Sequence, residues 1–108
     1  MAAFALSLAA SCASDATATQ TDPVLAKGQE VHNSRCASCH GIKGEGGTGK
    51  KLNNGVVTQQ LPNIADHVRI VNKGIPGTPM PSWEGVLTPE EITAVVRYQR
   101  EVLAKITD

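Results

Sequence analysis

Residues 35 to 41 read RCASCHG, which sets the thiols of Cys36 and Cys39 three positions apart with the imidazole of His40 against the second. On a helical turn, side chains at i, i+3 and i+4 share one face, so these three groups must be presented together. Three chemistries use such a cluster: a metal held by sulfur and nitrogen, a dithiol that exchanges with disulfides, and a cofactor carried covalently. Each would leave different marks elsewhere in the chain.

The chain has 108 residues, enough for one small domain, and domains of this size bury only about 60% or slightly more of their unfolded surface. Its aromatic side chains are Phe4, Trp83 and Tyr98. Phe4 belongs to a leader, so two aromatic rings are left for the core, and other bulk has to fill it. Ten Lys and Arg balance ten Asp and Glu without a basic block, so the charge pattern argues against nucleic acid as a partner.

Residues 1–12 are mostly apolar and read as an export signal, and residues 13–21 form a Ser, Thr, Ala and Asp spacer with little capacity to fold. The apolar run is shorter than the about 20 residues needed to span a bilayer. The stretch LAASC resembles a lipobox, in which Cys12 becomes a lipid anchor and Ala9 stands where a bulkier aliphatic is usual. Ordinary signal cleavage with Cys12 discarded is the alternative. Either route places the folded domain, residues 22–108, outside the cytoplasm, either in the periplasm or held to a membrane.

Within that domain, Asp22-Pro23 is a helix start, with a carboxylate for the free N–H groups and a proline at the first helical position. The first helix is expected from about Pro23 to Ser34 or a little beyond. Residues 41 to 55 hold six glycines and must form a loop with several left-handed positions. Ile64, Val68 and Val71 are spaced i, i+4, i+7 before Lys73-Gly74, which predicts a short second helix. Pro76, Pro79 and Pro81 then deny the backbone regular structure. Thr88-Pro89-Glu90-Glu91 is a capping box, and the apolar face of Ile92, Val95, Val96, Val102, Leu103 and Ile106 predicts a last helix from Pro89 to about Lys105. No segment has the pattern of a strand. The fold class is all-α, three main helices with long ordered loops.

A zinc site takes four ligands, commonly with a second Cys or His pair, whereas His32 and His67 stand alone here. A thioredoxin-type dithiol belongs to an alternating β and α pattern, which this chain lacks. A covalent haem accounts for all three residues: two thiols can add across its vinyl groups, and the adjoining imidazole falls beneath the iron.

The domain resembles the class I cytochromes c, small monohaem proteins, over nearly all of residues 22–108. The resemblance rests on Gly28 in the first helix, CASCHG, the loop TPMPSW and Tyr98 in the last helix. It implies a cytochrome c-like fold wrapped around one haem c bound through Cys36 and Cys39. It further implies His40 and Met80 as axial iron ligands, Met80 being forty positions after His40 and flanked by prolines. The competing role for Met80 is that of a flexible core filler. His32 stands where the family carries an aromatic and is expected to be structural. His67 is expected on the solvent face of the second helix. Lys50 occupies the place of a family proline whose carbonyl accepts from the proximal imidazole, and its own carbonyl can do the same. Trp83, Ile64, Val68, Val95 and Val96 are candidates for the haem wall, and Thr78 and Trp83 for hydrogen bonds to a propionate.

The function so implied is one-electron transfer between redox protein partners, by a monomer or a subunit of a respiratory complex, and not enzymatic turnover. The rival is a haem-based enzyme or gas sensor in which Met80 is displaced. Because the haem would supply the apolar bulk that two aromatics cannot, the cofactor-free chain is expected to be largely unfolded. Circular dichroism on heating the apo-protein should show no cooperative transition.

Overall fold

The computed structural model describes residues 18–108; the export signal, Cys12 and the first part of the spacer lie outside the described residues. Helix α1 spans Pro23–Val31, with the Asp22 carboxylate accepting from the Val24 and Leu25 amides at 2.8 and 3.4 Å. The helix does not stop near Ser34. It widens into a π turn over His32–Cys36 and continues as α2, Ala37–His40. A π turn inserts one residue into the helical ladder and rotates the turn after it, so Cys36 lies at the seam and Cys39 and His40 on the next turn. Gly41, at φ 88°, ends the run.

A short helix that the sequence pattern does not predict, α3, covers Val56–Gln60. It begins after the left-handed pair Asn54 and Gly55 and buries Val57 against Leu52 and Ala104. Helix α4 spans Ile64–Lys73, capped by the Asn63 side chain on the Ala65 amide at 2.9 Å and ended at Gly74, φ 73°. Helix α5 spans Pro89–Glu101 and carries the predicted capping box, Thr88 to Glu91, in both directions. It ends four residues earlier than expected. The chain tightens into a 3-10 turn over Leu103–Lys105, which buries Leu103 and Ala104 and turns the Ala104 and Ile106 carbonyls to the Gly55 and Asn54 amides at 2.6 and 2.8 Å.

α1 and α5 cross at Gly28. A Cβ there would stand 2.1 Å from the Ala94 carbonyl oxygen and 2.7 Å from Tyr98 Cβ, so only a glycine lets the two backbones approach this closely. The core beside the crossing is aliphatic: Val31, Val71, Leu87, Ile92, Val95 and Val96, with Cys36, Val68, Met80 and Trp83 packed against it partly buried. Among the described residues ladder pairing is limited to one isolated bridge, Glu84 to Leu87, and no helix is long and apolar enough to cross a membrane. Among the described residues the fold is all-α.

Gly28→Ala is expected to destabilise the domain by about 1–3 kcal/mol or more, although alanine is intrinsically the better helix former by about 1 kcal/mol. Urea unfolding should show the lowered midpoint; an unchanged one would mean that α1 and α5 can separate at no cost.

Candidate functional site

The two thiols are free and half-buried. Burial, with the neighbouring Cys39, pushes the Cys36 thiol up to about 11. A dithiol exchanger needs a lowered thiol pKa, so this environment does not suit disulfide chemistry.

His40 closes α2, and the glycine-rich loop folds back over it. The Gly46 amide donates to the His40 carbonyl at 2.7 Å and the Gly49 amide to the Cys39 carbonyl at 2.9 Å, pairing carbonyls that the helix end leaves free. Gly49 lies against the ring itself, where a Cβ would stand 2.9 Å from Cε1 and 3.0 Å from Nδ1. The expected contact to the imidazole is present: His40 Nδ1 lies 2.7 Å from the Lys50 carbonyl oxygen. Since a carbonyl only accepts, Nδ1 carries the proton and Nε2 is left with a lone pair, the form in which an imidazole ligates a metal. The missing proline at position 50 costs the loop some stiffness but leaves this bond intact.

Met80 stands on the loop after α4, half-buried against the aliphatic core. That loop is tied to the helix end. The Trp83 amide donates to the Val71 carbonyl at 3.0 Å, the Glu84 amide to Asn72 at 3.2 Å, and the Ser82 hydroxyl to Asn72 at 2.6 Å. Gly74 permits the close return, since a Cβ there would meet the Met80, Pro81 and Ser82 backbone at 2.7 to 2.8 Å. Thr78 is used within the loop, its hydroxyl donating to the Ile75 carbonyl at 2.7 Å and accepting from the Met80 amide at 3.2 Å. This occupation does not favour the expected propionate contact. Trp83 packs against the same core and carries the Arg35 guanidinium over its ring at 5.9 Å. Val68, Val95 and Val96 join the same core, whereas Ile64, expected with them, is 44% exposed.

The main correction concerns His67. It does not face solvent: it is 4% exposed, with Nε2 3.0 Å from Gln99 Oε1. Gln99 Nε2 in turn donates to His32 Nδ1 at 3.1 Å, and His32 Nε2 to the Gly41 carbonyl at 2.8 Å. His32, fully buried, takes the place of an aromatic against Tyr98, the rings 5.9 Å apart and tilted by 49°. Its structural role is as expected. Sequence reasoning misses Gln99 altogether. A signal for the burial of His67 is the i, i+4 spacing of His67 and Val71, which puts both on one face of α4. His67 Nδ1 is buried without a partner, an omission that costs about 1–3 kcal/mol.

The donor set fits a covalently attached haem: two half-buried thiols one turn apart, an imidazole presenting a bare nitrogen, and a thioether on a pinned loop beside an aliphatic wall. A family model described as "Cytochrome C oxidase, cbb3-type, subunit III" matches residues 23–98. The chain belongs to this family of c-type cytochromes. The cytochrome domain is 32% identical over 93 residues to cytochrome c55X of Stutzerimonas stutzeri, covering 86% of this chain and 74% of that one. It is 29% identical over 85 residues to cytochrome c55X of Paracoccus denitrificans (strain Pd 1222), covering 76% and 81%. Among solved structures, the c-type cytochrome NirC superposes with a TM-score of 0.62 at 28% identity, covering 76% of this chain and 94% of that one. Haem binding and electron transfer are accordingly the role of the cytochrome domain.

Burial lowers His67 from 6.5 to about 4. The unfolded chain binds this proton and the folded one does not, so the stability is complete above pH 6.5 and is lost as pH falls toward 4. The loss is on the order of 3 kcal/mol. Denaturant unfolding at a series of pH values should show this acid limb in the parent and a flatter one in His67→Gln.

Proposed function

We propose that the chain is a one-electron carrier holding a single haem c through thioether bonds from Cys36 and Cys39, with His40 and Met80 as the axial iron ligands. The observation that carries this reading is the His40 ring, tied at Nδ1 to the Lys50 carbonyl at 2.7 Å beside two free thiols. The bound haem supplies one-electron chemistry, with its iron alternating between ferric and ferrous. The protein's part is to keep the surroundings of that iron the same in both states. The Lys50 carbonyl fixes the tautomer and the angle of His40 and makes it a stronger ligand. Pro79 and Pro81 restrict the backbone on either side of Met80, and the hydrogen bonds from Trp83, Glu84 and Ser82 to the end of α4 hold the loop in register. Thioether ligation favours the reduced state and raises the potential relative to two histidines. With His40 and Met80 both holding it, the iron would offer no position to a substrate, which would leave electron exchange with a partner protein as its chemistry.

The partners in this reading are a redox protein donor and acceptor outside the cytoplasm. The family description, an oxidase subunit, supports a respiratory setting. Residues 1–12 serve as export signal and Cys12 as a lipid anchor that holds the domain at a membrane. Anchoring by two or more acyl chains is stable, since each buried methylene contributes about 0.8 kcal/mol.

Exported protein should give a pyridine haemochrome spectrum of covalent haem, and its mass should include haem and, if Cys12 is acylated, lipid. Replacing Cys36 and Cys39 together by alanine should abolish covalent haem entirely. Met80→Ala should keep the haem, eliminate the weak red-edge band of sulfur-ligated ferric iron, lower the midpoint potential and open the ferrous form to carbon monoxide. A Met80→Ala spectrum and potential identical to the parent's would refute the assignment.

A further inference from the structure

The buried series Gly41, His32, Gln99 and His67 supplies none of the proposed thioether or iron ligands, yet its hydrogen bonds have a direction that can be read residue by residue. The Gly41 carbonyl can only accept, so His32 carries its proton on Nε2, 2.8 Å away, and turns a bare Nδ1 toward Gln99. Gln99 must then present its NH2 group to His32, at 3.1 Å, which leaves its carbonyl oxygen for His67. That oxygen also only accepts, so His67 carries its proton on Nε2, at 3.0 Å. The polarity imposed at Gly41 thus runs across three elements and ends at His67 Nδ1, a buried lone pair with no partner.

The groups around His67 are otherwise occupied. On α5, Arg100 donates to the Leu61 and Pro62 carbonyls at 2.6 and 3.0 Å. On α4 itself, Asp66 and Arg69 pair with each other at 2.7 Å on the exposed side. On α2, the Nδ1 of His40 is taken by Lys50. The series adjoins the cofactor segment at one end, where Gly41 comes directly after His40 in the chain.

We propose that His67 Nδ1 is a redox-linked proton site, taking one proton from water when one electron arrives from the donor protein and returning it when that electron leaves for the acceptor. The inference rests on the haem c reading of Cys36, Cys39 and His40. Its physical basis is charge compensation. An imidazolium in a poorly solvated interior is disfavoured by the extra positive charge of the oxidised site, and arrival of the electron removes that charge. Linkage makes the effect reciprocal, so protonation of His67 must in turn favour reduction. Burial, with Arg100 and His40 acting in the same direction and Gln99 against them, puts the titration near 4, so the coupling belongs to the acid range. A change of one unit charge felt through protein alters proton affinity by about tenfold, which is about 59 mV for a one-electron couple.

The test is the midpoint potential of the haem-loaded protein from about pH 3.5 to about 8, together with the imidazole titration of His67 by NMR in both oxidation states. The parent's potential should be flat near neutrality and rise through the acid window by an amount matching a tenfold difference in affinity. The His67 titration should lie about one pH unit higher in the ferrous protein. His67→Gln, which keeps a donor for Gln99, should lose the rise. A rise that survives in His67→Gln, or a flat parent curve, would overturn the inference and leave the electron-carrier reading standing. Absence of covalent haem would overturn both. If His67→Gln does not fold, the parent decides the matter alone, since equal His67 titrations in the two oxidation states would refute the coupling.

Discussion

The contact on which the rest of the structure depends is the crossing of α1 and α5 at Gly28. With no side chain between the backbones, the Ala94 carbonyl lies 2.1 Å from where a Cβ would be, and the distance between α1 and α5 is set by main-chain atoms. Such a contact tolerates no adjustment by side-chain repacking. Everything that carries chemistry is placed relative to it: the π turn and α2 continue from α1 and bring forward Cys36, Cys39 and His40, while α5 presents Val95, Val96 and Gln99.

The loops are as determined as the helices because they take up hydrogen bonds that the helices cannot satisfy. The glycine-rich loop donates to the last carbonyls of α2, and its Lys50 carbonyl orients His40. The Met80 loop donates to the last carbonyls of α4. A site built in this way has both candidate axial side chains on segments stabilised by backbone bonding, which suits a carrier whose surroundings should change little as an electron comes and goes.

Much of this is legible in the residues. Asp22-Pro23 and Thr88-Pro89-Glu90-Glu91 are helix starts by local chemistry, and both helices begin there. The six glycines after His40 require a loop, and the Lys50 carbonyl can be assigned to the imidazole because a backbone group is present whatever the side chain. The misreadings have a common cause. Polarity alone sends His67 toward solvent, whereas the structure buries it. The early end of α5 likewise comes from Leu103 and Ala104 turning inward, Ala104 against Leu52 and Val57, a contact between segments about fifty residues apart.

The amino-acid sequence by itself determined the local events: helix starts, left-handed glycines, the thiol and imidazole group, and the proline-bounded methionine. These depend on interactions within a few residues, and such interactions act before the fold exists. Only the tertiary structure decided which polar side chains could enter the interior. Burying an imidazole is tolerable only where another element supplies the matching donor or acceptor, and Gln99, thirty-two positions from His67 and sixty-seven from His32, does so only once α1, α4 and α5 have packed together.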